Sequence, residues 1–504
     1  MSKPFRVSVV FPGLVAVVLV LSQVAFAGVA RQTTEPAASN LENTKGTSQK
    51  TKKKKKKKKT ATESVVLFGT YNPPTSTSTA PTIVIDNVSG NADVAPATAP
   101  TAARRPLRST KTPGAHALPV DDPPANVAAT TLVISEFRVR GPNGANDEFI
   151  EIMNATGADH TVAGGGSGYA IAASNGVARC VIPNGTVIPN KGHYLCVNSV
   201  GYSLASYPAG NGTTATGDAT YTTDIPDNAG IALFNTSVAA DFTLANRFDA
   251  VGSTSEANTL YKEGTGYPAL TPFSIDYSFY RDNCGKGGSI TTFGPCPEGG
   301  LVKDSNNNAA DFIFVDTNGT SAGAGQRLGA PGPENLSSPI ERNASFAVNL
   351  LDTCVAAQSP PNRVRDFTSD PANNSTFGTL DIRRTVVNNT GGNVTRLRFR
   401  VVDLTTFPAP SGIADLRPRT STSVVVTVDR PPCGSGTSNV TVNGTTLEQP
   451  PSQPNGGGFN SSMSAGTVTL ATPLANGASI DVRFLLGIQQ TGSFKFFFNV
   501  EALP

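Results

Sequence analysis

Short segments of alternating apolar and polar residues, separated by turns, fill the sequence from Thr130 onward, and this pattern restricts what the chain can fold into. LVISEFRV (132–139) places Leu132, Ile134 and Phe137 among polar neighbours, and it is followed by HYLCV, GIALF, FDAVG, SFYRD and DFIFV. Strands have a side-chain period of two, and no stretch of useful length shows the 3.6-residue period of a helix. The pattern therefore predicts an all-β domain over residues 129–338.

A second block of strands begins near SSPIERNA (337–344). Its apolar segments, separated by Gly, Pro and Asn turns, are SFAVNL, LDIRRTVV, VTRLRFRVV, SVVVTV, GTVTLA, SIDVRFLL and FKFFFNV. Many short strands at this spacing are typical of a β-sandwich. We therefore predict a second β-sandwich at 339–504, so that the chain carries two tandem immunoglobulin-like sandwiches.

The first 128 residues lack this pattern. Residues 1–27 are typical of a secretory signal peptide, because Lys3 and Arg6 precede an apolar run that ends at Ala25-Phe26-Ala27. The run is short for a membrane span, which needs about 20 residues. We expect cleavage near Ala27, with an uncleaved anchor as the alternative. Residues 28–128 cannot bury enough apolar surface to offset their ordering entropy, which predicts a disordered basic linker.

Charge is segregated along the chain. Residues 1–60 hold 13 of the 40 basic residues and 2 of the 37 acids, which leaves 27 basic and 35 acidic residues and a net charge of −8 after residue 60. A nucleic-acid-binding body normally has the opposite sign. Binding to polyanions is therefore expected from the lysine run of the linker, which comprises Lys52, Lys53, Lys54, Lys55, Lys56, Lys57, Lys58 and Lys59. A solvated spacer without a partner is the alternative.

Six cysteines fall in the sequence as three neighbouring pairs. Six cysteines allow 15 connectivities. The simplest keeps each bridge within one predicted domain, pairing Cys180 with Cys196, Cys284 with Cys296 and Cys354 with Cys433. A zinc site would need CxxC-like spacing and companion histidines, and the sequence has neither. Disulfides agree with an exported protein.

The stretch DEFIEIMN (147–154) raises the question of a catalytic carboxylate pair. On a strand, Glu148 shares a face with Ile150 and Ile152, whereas Glu151 lies on the other face. Two carboxylates that act on one substrate must lie on the same side, about 5–10 Å apart. The spacing therefore favours acids that are solvated or hydrogen-bonded on a strand over an acid–base pair.

LVISEFRVRGPNGANDEFIEIMNATG resembles the opening of a lamin tail domain of the kind found in exported bacterial proteins. Later segments resemble the following strands and the closing motif of that family in order: SGYAIA, IPNKGHYLCV, DIPDNAGIALFN, FDAVG, NNAADF and LGAPGPEN. Phe149 and Tyr169 stand where the family usually has tryptophan, and insertions are implied around 200–222 and 253–300. The resemblance covers about 130–336 and implies an immunoglobulin-like binding or structural module.

Three further sequence patterns bear on catalysis or ligand binding. GTSAG (319–323) matches G-x-S-x-G at Ser321, but it lies in a Gly/Ala-rich loop and no histidine follows it, so we interpret it as a chance match. KDSNNNAADF resembles a calcium loop through Asp304, Asn306, Asn308 and Asp311, without the usual Gly and distal Glu. Its alternative is an Asn-rich turn.

VTRLRFRVV places Arg396, Arg398 and Arg400 on one face of a strand. Such a face usually meets acids on neighbouring strands. A polyanion-binding stripe is the second interpretation.

We therefore expect a non-enzymatic exported or cell-envelope protein without a cofactor, which attaches to or scaffolds an extracellular macromolecule. It would have no integral membrane span once mature. The alternative is a polyanion-binding protein for DNA or acidic glycan. A hydrolase ranks last, because the sequence offers no nucleophile–base set and no same-face carboxylate pair.

Overall fold

A computed structural model describes the backbone of residues 66–70 and all atoms of residues 128–208, 212–271, 274–283, 302–320, 325, 327–409 and 411–504. These residues are nearly all β, which confirms the predicted fold class. The signal peptide, the lysine run, Cys284, Cys296 and Ser321 lie outside the described residues, as does the linker apart from residues 66–70 and 128.

The first sandwich contains twelve of the described strands, and they follow the alternating segments of the sequence. They are β2 (Leu132–Arg138), β3 (Phe149–Asn154), β4 (His160–Thr161), β5 (Gly168–Ala173), β6 (Ala178–Pro183), β7 (Val187–Ile188), β8 (His193–Asn198), β9 (Ala219–Tyr221), β10 (Ile231–Phe234), β11 (Arg247–Val251), β12 (Tyr277–Arg281) and β13 (Phe312–Asp316). One sheet has the order β13-β12-β2-β3-β8-β9 and the other β11-β10-β5-β6, with β4 and β7 paired separately.

The second sandwich follows in the same way. Its strands are β14 (Ile340–Glu341), β15 (Phe346–Leu350), β16 (Arg363–Asp366), β17 (Thr379–Asn388), β18 (Arg396–Leu404), β19 (Asp415–Arg419), β20 (Val424–Asp429), β21 (Thr437–Gly444), β22 (Thr446–Leu447), β23 (Ser462–Ser464), β24 (Ser479–Gln490) and β25 (Phe494–Leu503). One sheet has the order β25-β18-β23-β22, with β14 on β25. The other has the order β15-β17-β24-β21-β20, with β16 on β17 and β19 on β24.

Strand β1 (Val66–Thr70) pairs in parallel with β25, from Val66 opposite Phe494 to Thr70 opposite Phe498. It lies within the predicted disordered linker, and that prediction is wrong for these five residues, because their backbone groups are paired with a strand of the second sandwich. The described helical structure is limited to short turns. These are α1 (Asn308–Asp311) and 3₁₀ turns at Ala239–Asp241, Leu244–Asn246, Thr259–Tyr261, Asn343–Ser345 and Pro371–Asn373.

Each sandwich has its own apolar core between its two sheets. In the first, Phe137 stacks on Phe279 with ring centroids 5.3 Å apart. In the second, Phe484 lies 4.9 Å from both Phe399 and Phe498. Burial of each aromatic side chain contributes roughly 1.5–3 kcal/mol, so phenylalanine and tyrosine supply the core in this chain without tryptophan.

Two of the three predicted disulfides lie within the described residues, and both are confirmed. Cys180 bonds Cys196 across the first sandwich, and Cys354 bonds Cys433 in the second. Each bridge joins residues of one sandwich, as the prediction required.

Candidate functional site

A β-bulge in β2 determines which side chains leave the outer face of the first sandwich. Ile134 pairs with Ile152 and Glu136 pairs with Glu151, so that Ser135 is the extra residue between them. The bulge explains why Ile134 and Phe137, three positions apart, both reach the core. It also places Glu136 directly opposite Glu151 on the face that points away from that core. Residues paired in this way have Cβ atoms about 4.5–5.5 Å apart.

His193, the first residue of β8, extends this polar face. Its Nε2 lies 3.7 Å from Glu151 Oε1, and its Nδ1 lies 3.2 Å from Glu334 Oε2. The hydroxyl of Ser135 donates to Glu151 Oε1 at 2.5 Å. Burial, with a smaller contribution from the nearby Arg400, lowers the pKa of His193 to about 3, so the imidazole is neutral at physiological pH.

The second sandwich presents the matching face through β18 and β25. Arg398 lies opposite Glu501 in the ladder, and Arg400 lies opposite Asn499. Arg398 Nε donates to Glu501 Oε2 at 2.5 Å, and Arg400 Nε donates to Glu501 Oε1 at 2.7 Å. Burial alone would raise the pKa of Glu501, but the two guanidinium groups lower it below the ordinary value. Glu501 is therefore an ionised carboxylate.

The segment that connects the two sandwiches passes between these faces and contacts both. The backbone N–H of Gly332 donates to Glu136 Oε1 at 3.0 Å, and that of Glu334 donates to Glu151 Oε2 at 2.6 Å. The Glu334 carboxylate pairs with Arg398 and, at 3.1 Å, with Arg400. The side chain of Glu334 thus pairs with arginines of the second sandwich, while its backbone N–H donates to Glu151 of the first sandwich.

We call this set the interdomain network; its members are Glu136, Glu151, His193, Glu334, Arg398, Arg400 and Glu501. All of them are buried, and all except Arg398 line a cavity of ≈ 60 Å³. Pockets that hold drug-sized ligands are about 300–1,000 Å³, whereas a single water needs only about 10–15 Å³ of such space. The cavity has room for a few waters and not for a substrate of ordinary size.

Glu148 and Glu151 do point to opposite sides, and neither is solvated. Glu148 accepts hydrogen bonds from Asn198 Nδ2 at 2.8 Å and from the Ile225 N–H at 2.7 Å, inside the first sandwich. Burial raises its pKa to about 8. Of the two forms predicted for these acids, the structure shows the hydrogen-bonded one.

The arginine face of β18 meets acids, as the first interpretation predicted, but it is not a stripe on the protein surface. Arg398 and Arg400 are buried and paired with Glu334 and Glu501. The polyanion-binding prediction is therefore wrong for these two residues, because their charges are neutralised inside the protein. Arg396 is half-buried, and its Nη2 donates to the Gly212 carbonyl at 3.3 Å.

The calcium candidates do not converge on one point. Asn308 is buried and bonds backbone groups of Ala250, Gly252 and Glu263. Asp311 accepts from the Ser305 N–H at 2.9 Å and from the Asn307 N–H at 3.3 Å. The loop is the Asn-rich turn that the alternative described, with Asp304 and Asn306 (φ 56°) at its bend.

Asp304 belongs to a different acidic group, together with Asp249 and Glu263. Their carboxylates come close enough to ligate a cation, but a protein cation already occupies the group. Arg281 donates to both oxygens of Asp249 at 2.5 and 2.6 Å and to Asp304 at 3.4 Å. The guanidinium of Arg281 thus lies beside Asp249 and Asp304 where a metal ion would bind, and Glu263 pairs with Arg247 at 3.1 Å.

Sequence reasoning missed the Glu136–Glu151 pair, the contacts of His193, and the acids Glu334 and Glu501. A signal for the first was present, because two acid-bearing strands separated by a polar loop predict a hairpin in which those acids face each other. Since the side-chain period is two, the one-residue bulge decides whether Glu136 faces Glu151 or the core. The other contacts join residues up to 183 positions apart, so the spacing of residues within one strand cannot predict them.

No protein-family model matches this sequence, and no curated protein or solved structure matches it either. Within the part of the chain that the structure describes, no helix is long and apolar enough to span a membrane. The disulfides of the two sandwiches fit an extracellular protein.

Proposed function

We propose that this chain is a non-enzymatic, exported scaffolding protein in which the interdomain network joins two β-sandwiches into one stiff unit. The first sandwich would be a lamin tail domain and would bind or position an extracellular or cell-envelope macromolecule. The second would hold the first in a fixed orientation. The observation that carries the proposal is the burial of all seven network residues between the sandwiches.

The chemistry of the network supports a structural role. Arg398 and Arg400 each pair with both Glu334 and Glu501. A buried ion pair loses its hydration on folding, and removal of one partner leaves an uncompensated charge that costs about 3–5 kcal/mol. Such a network holds one geometry firmly. It offers no room beside the carboxylates for a substrate, since the cavity is only ≈ 60 Å³.

Further contacts across the same boundary support a stiff joint. Tyr207 of the first sandwich donates to Ser462 Oγ of the second at 2.9 Å, and Lys191 pairs with Glu341. In the connecting segment, Gly329 forms a parallel bridge with Phe459. Inter-domain interfaces are mobile by default unless they are large or closely packed, so these contacts distinguish the joint from a simple linker.

The lamin tail assignment rests on the resemblance of the sequence. It is supported by the opening segment that carries the resemblance, because Ile134 and Glu136 of that segment lie on β2 and Ile150 and Glu151 on the adjacent antiparallel strand β3. The closing motif LGAPGPEN (328–335) is the segment that contacts Glu136 and Glu151. The motif residues of the family would therefore serve the joint in this chain.

Export is part of the proposal and is supported by residues 1–27 and by the disulfides. Polyanion binding through Lys52–Lys59 is the second candidate function. It is favoured by the separation of charge, because the chain after residue 60 carries −8 and repels polyanions at long range.

The test is a capture screen of the full mature protein against glycans, DNA and cell-wall material at low and high salt. The scaffold proposal expects a partner that stays bound at high salt and that a variant without Lys52–Lys59 still binds. Binding that disappears with salt and with the lysine deletion would support the second candidate. Turnover of an ester, glycan or nucleic acid that Glu151→Gln abolishes would refute both.

A further inference from the structure

The interdomain network contains two more acids than its cations balance. Its two cations, Arg398 and Arg400, are matched by two carboxylates, Glu334 and Glu501. Lys191 and Glu341, which lie beside the network, pair with each other. Glu136 and Glu151 are the surplus, and they lie directly opposite each other on β2 and β3. Two buried carboxylates side by side cannot both ionise cheaply, because each charge is desolvated and repels the other.

The groups that face this pair come from every element packed against it. The first sandwich contributes His193 from β8 and Tyr280 and Arg281 from β12. The connecting segment contributes Glu334, and β14 contributes Glu341. The second sandwich contributes Arg400 from β18 and Glu501 from β25, with Arg398 beside them.

The partners of these groups leave no spare positive charge for the pair. The guanidinium of Arg281 is bonded to Asp249, and His193 is neutral. Arg400 is paired with Glu334 and Glu501.

We propose that Glu136 and Glu151 form a proton-dependent contact: while they hold their protons the two sandwiches stay joined, and loss of those protons at rising pH separates them. The inference rests on the proposed structural role of the network and adds its regulation.

The direction of the effect follows from where the protons are held. Burial raises the pKa of Glu136, and Arg400 offsets only part of that effect. Burial raises the pKa of Glu151 well above its ordinary value, and the neighbouring Glu136 raises it further. On separation both acids meet water and return to an ordinary pKa of about 4.3. Between that value and the raised pKa, separation releases protons, so the contact is strongest at mildly acidic pH and weakens as pH rises.

The slope is set by the number of protons released. Each proton increases the equilibrium constant for separation by up to about tenfold per pH unit within this window. Two protons therefore give at most about a hundredfold per unit. Glu501 does not oppose this slope, because its lowered pKa keeps it ionised throughout. His193 opposes it in part. Its pKa is about 3 while it is buried and ordinarily about 6.5, so separation takes up one proton below about pH 6.5, and the two-proton slope holds above that pH.

Two buried methionines allow separation to be measured apart from unfolding. Met153 lines the cavity of the network, whereas Met463 lies in the core of the second sandwich. Peroxide converts an exposed methionine to the sulfoxide, which mass spectrometry quantifies at each position. The full mature protein is exposed to dilute peroxide from pH 5 to pH 10, and both rates are followed. The same series is run on Glu136→Gln/Glu151→Gln, which imitates the protonated pair.

Glu148→Gln is the matched control, because it removes a buried acid of raised pKa from inside the first sandwich. We expect oxidation of Met153 to rise steeply with pH in the wild type and in this control, with Met463 unchanged. In the double glutamine variant Met153 stays protected. Should that variant fail to fold by circular dichroism, either single variant is expected to show the slope of one proton instead of two.

A flat Met153 rate in the wild type, a rise shared by Met463, or an unchanged slope in the glutamine variants would overturn the proton-dependent contact and leave the scaffold standing. Rapid oxidation of Met153 at every pH, with Met463 protected, would overturn the scaffold itself, since the sandwiches would then be apart even when the acids are protonated.

Discussion

Glu501→Gln removes one negative charge from the interdomain network with little change in side-chain shape. The carboxylate accepts from Arg398 at 2.5 Å and from Arg400 at 2.7 Å, and its side chain is only 5% exposed. Glutamine keeps the volume but leaves two buried guanidinium groups to share Glu334. Breaking a buried pair in this way costs about 3–5 kcal/mol. For a domain of 150–250 residues, 1 kcal/mol shifts the melting temperature by about 2–4 °C, so we expect a loss of about 6–20 °C.

The assay is thermal and urea unfolding at pH 7, followed by far-ultraviolet circular dichroism. Asp370→Asn is the control, because it removes the same charge from a pair that is partly in solvent, 3.8 Å from Arg419 with the Asp370 side chain 41% exposed. Surface pairs contribute about 0–1 kcal/mol. If Glu501→Gln costs no more than Asp370→Asn, the buried ion pairs of Glu501 do not stabilise the fold.

Three further outcomes follow from the structure. Gly332→Ala should cost about 1–3 kcal/mol in thermal unfolding, because a Cβ would lie 2.2 Å from a guanidinium nitrogen, whereas Gly466→Ala, with open space around it, should be near neutral. Loss of the Cys354–Cys433 bridge, which spans 79 residues, should cost about 4.5 kcal/mol against about 3 for Cys180–Cys196, which spans 16, when serine variants are compared in urea. Deleting Lys52–Lys59 should reduce the magnitude of the slope of log binding constant against log salt concentration by up to about 7 for DNA. An unchanged slope would show that the lysine run does not contribute to DNA binding.

The all-β fold could be predicted because period-two alternation and turn residues are local signals. The arginine face of β18 could be predicted for the same reason. Arg398 and Arg400 do share a face, and Phe399 does enter the core. What alternation could not reveal is that this face is buried against a second domain. A polar face looks the same in sequence whether it meets water or a complementary set of charges.

The interdomain network could not be predicted from the spacing of residues in the sequence. Glu334 lies in a Gly/Pro-rich segment with no period, and His193 has no partner near it in the sequence. Their meeting with Glu151 depends on β8 lying beside β3 and on the connecting segment folding back between the sandwiches. The arrangement also depends on the bulge at Ser135, which places Glu136 opposite Glu151.

A short sequence pattern, Asn-x-Thr, forms the same side-chain cap at the end of one strand in each sandwich. Asn154 and Asn388 each end a long strand and are followed two residues later by threonine, in NAT and NNT. In both, the asparagine Oδ1 accepts from the threonine hydroxyl at 2.7 Å while its Nδ2 donates to backbone carbonyls. The two sandwiches thus terminate a strand by the same side-chain cap.

The central claim, that the two sandwiches form one stiff unit, is tested most directly by residual dipolar couplings of methyl groups in the mature protein at pH 6. Couplings from each sandwich are fitted separately to an alignment tensor. If the sandwiches form one stiff unit, both give a single tensor, equal in magnitude and orientation. Two tensors of different magnitude would mean that the sandwiches reorient independently, and the interdomain network would then not hold them as proposed.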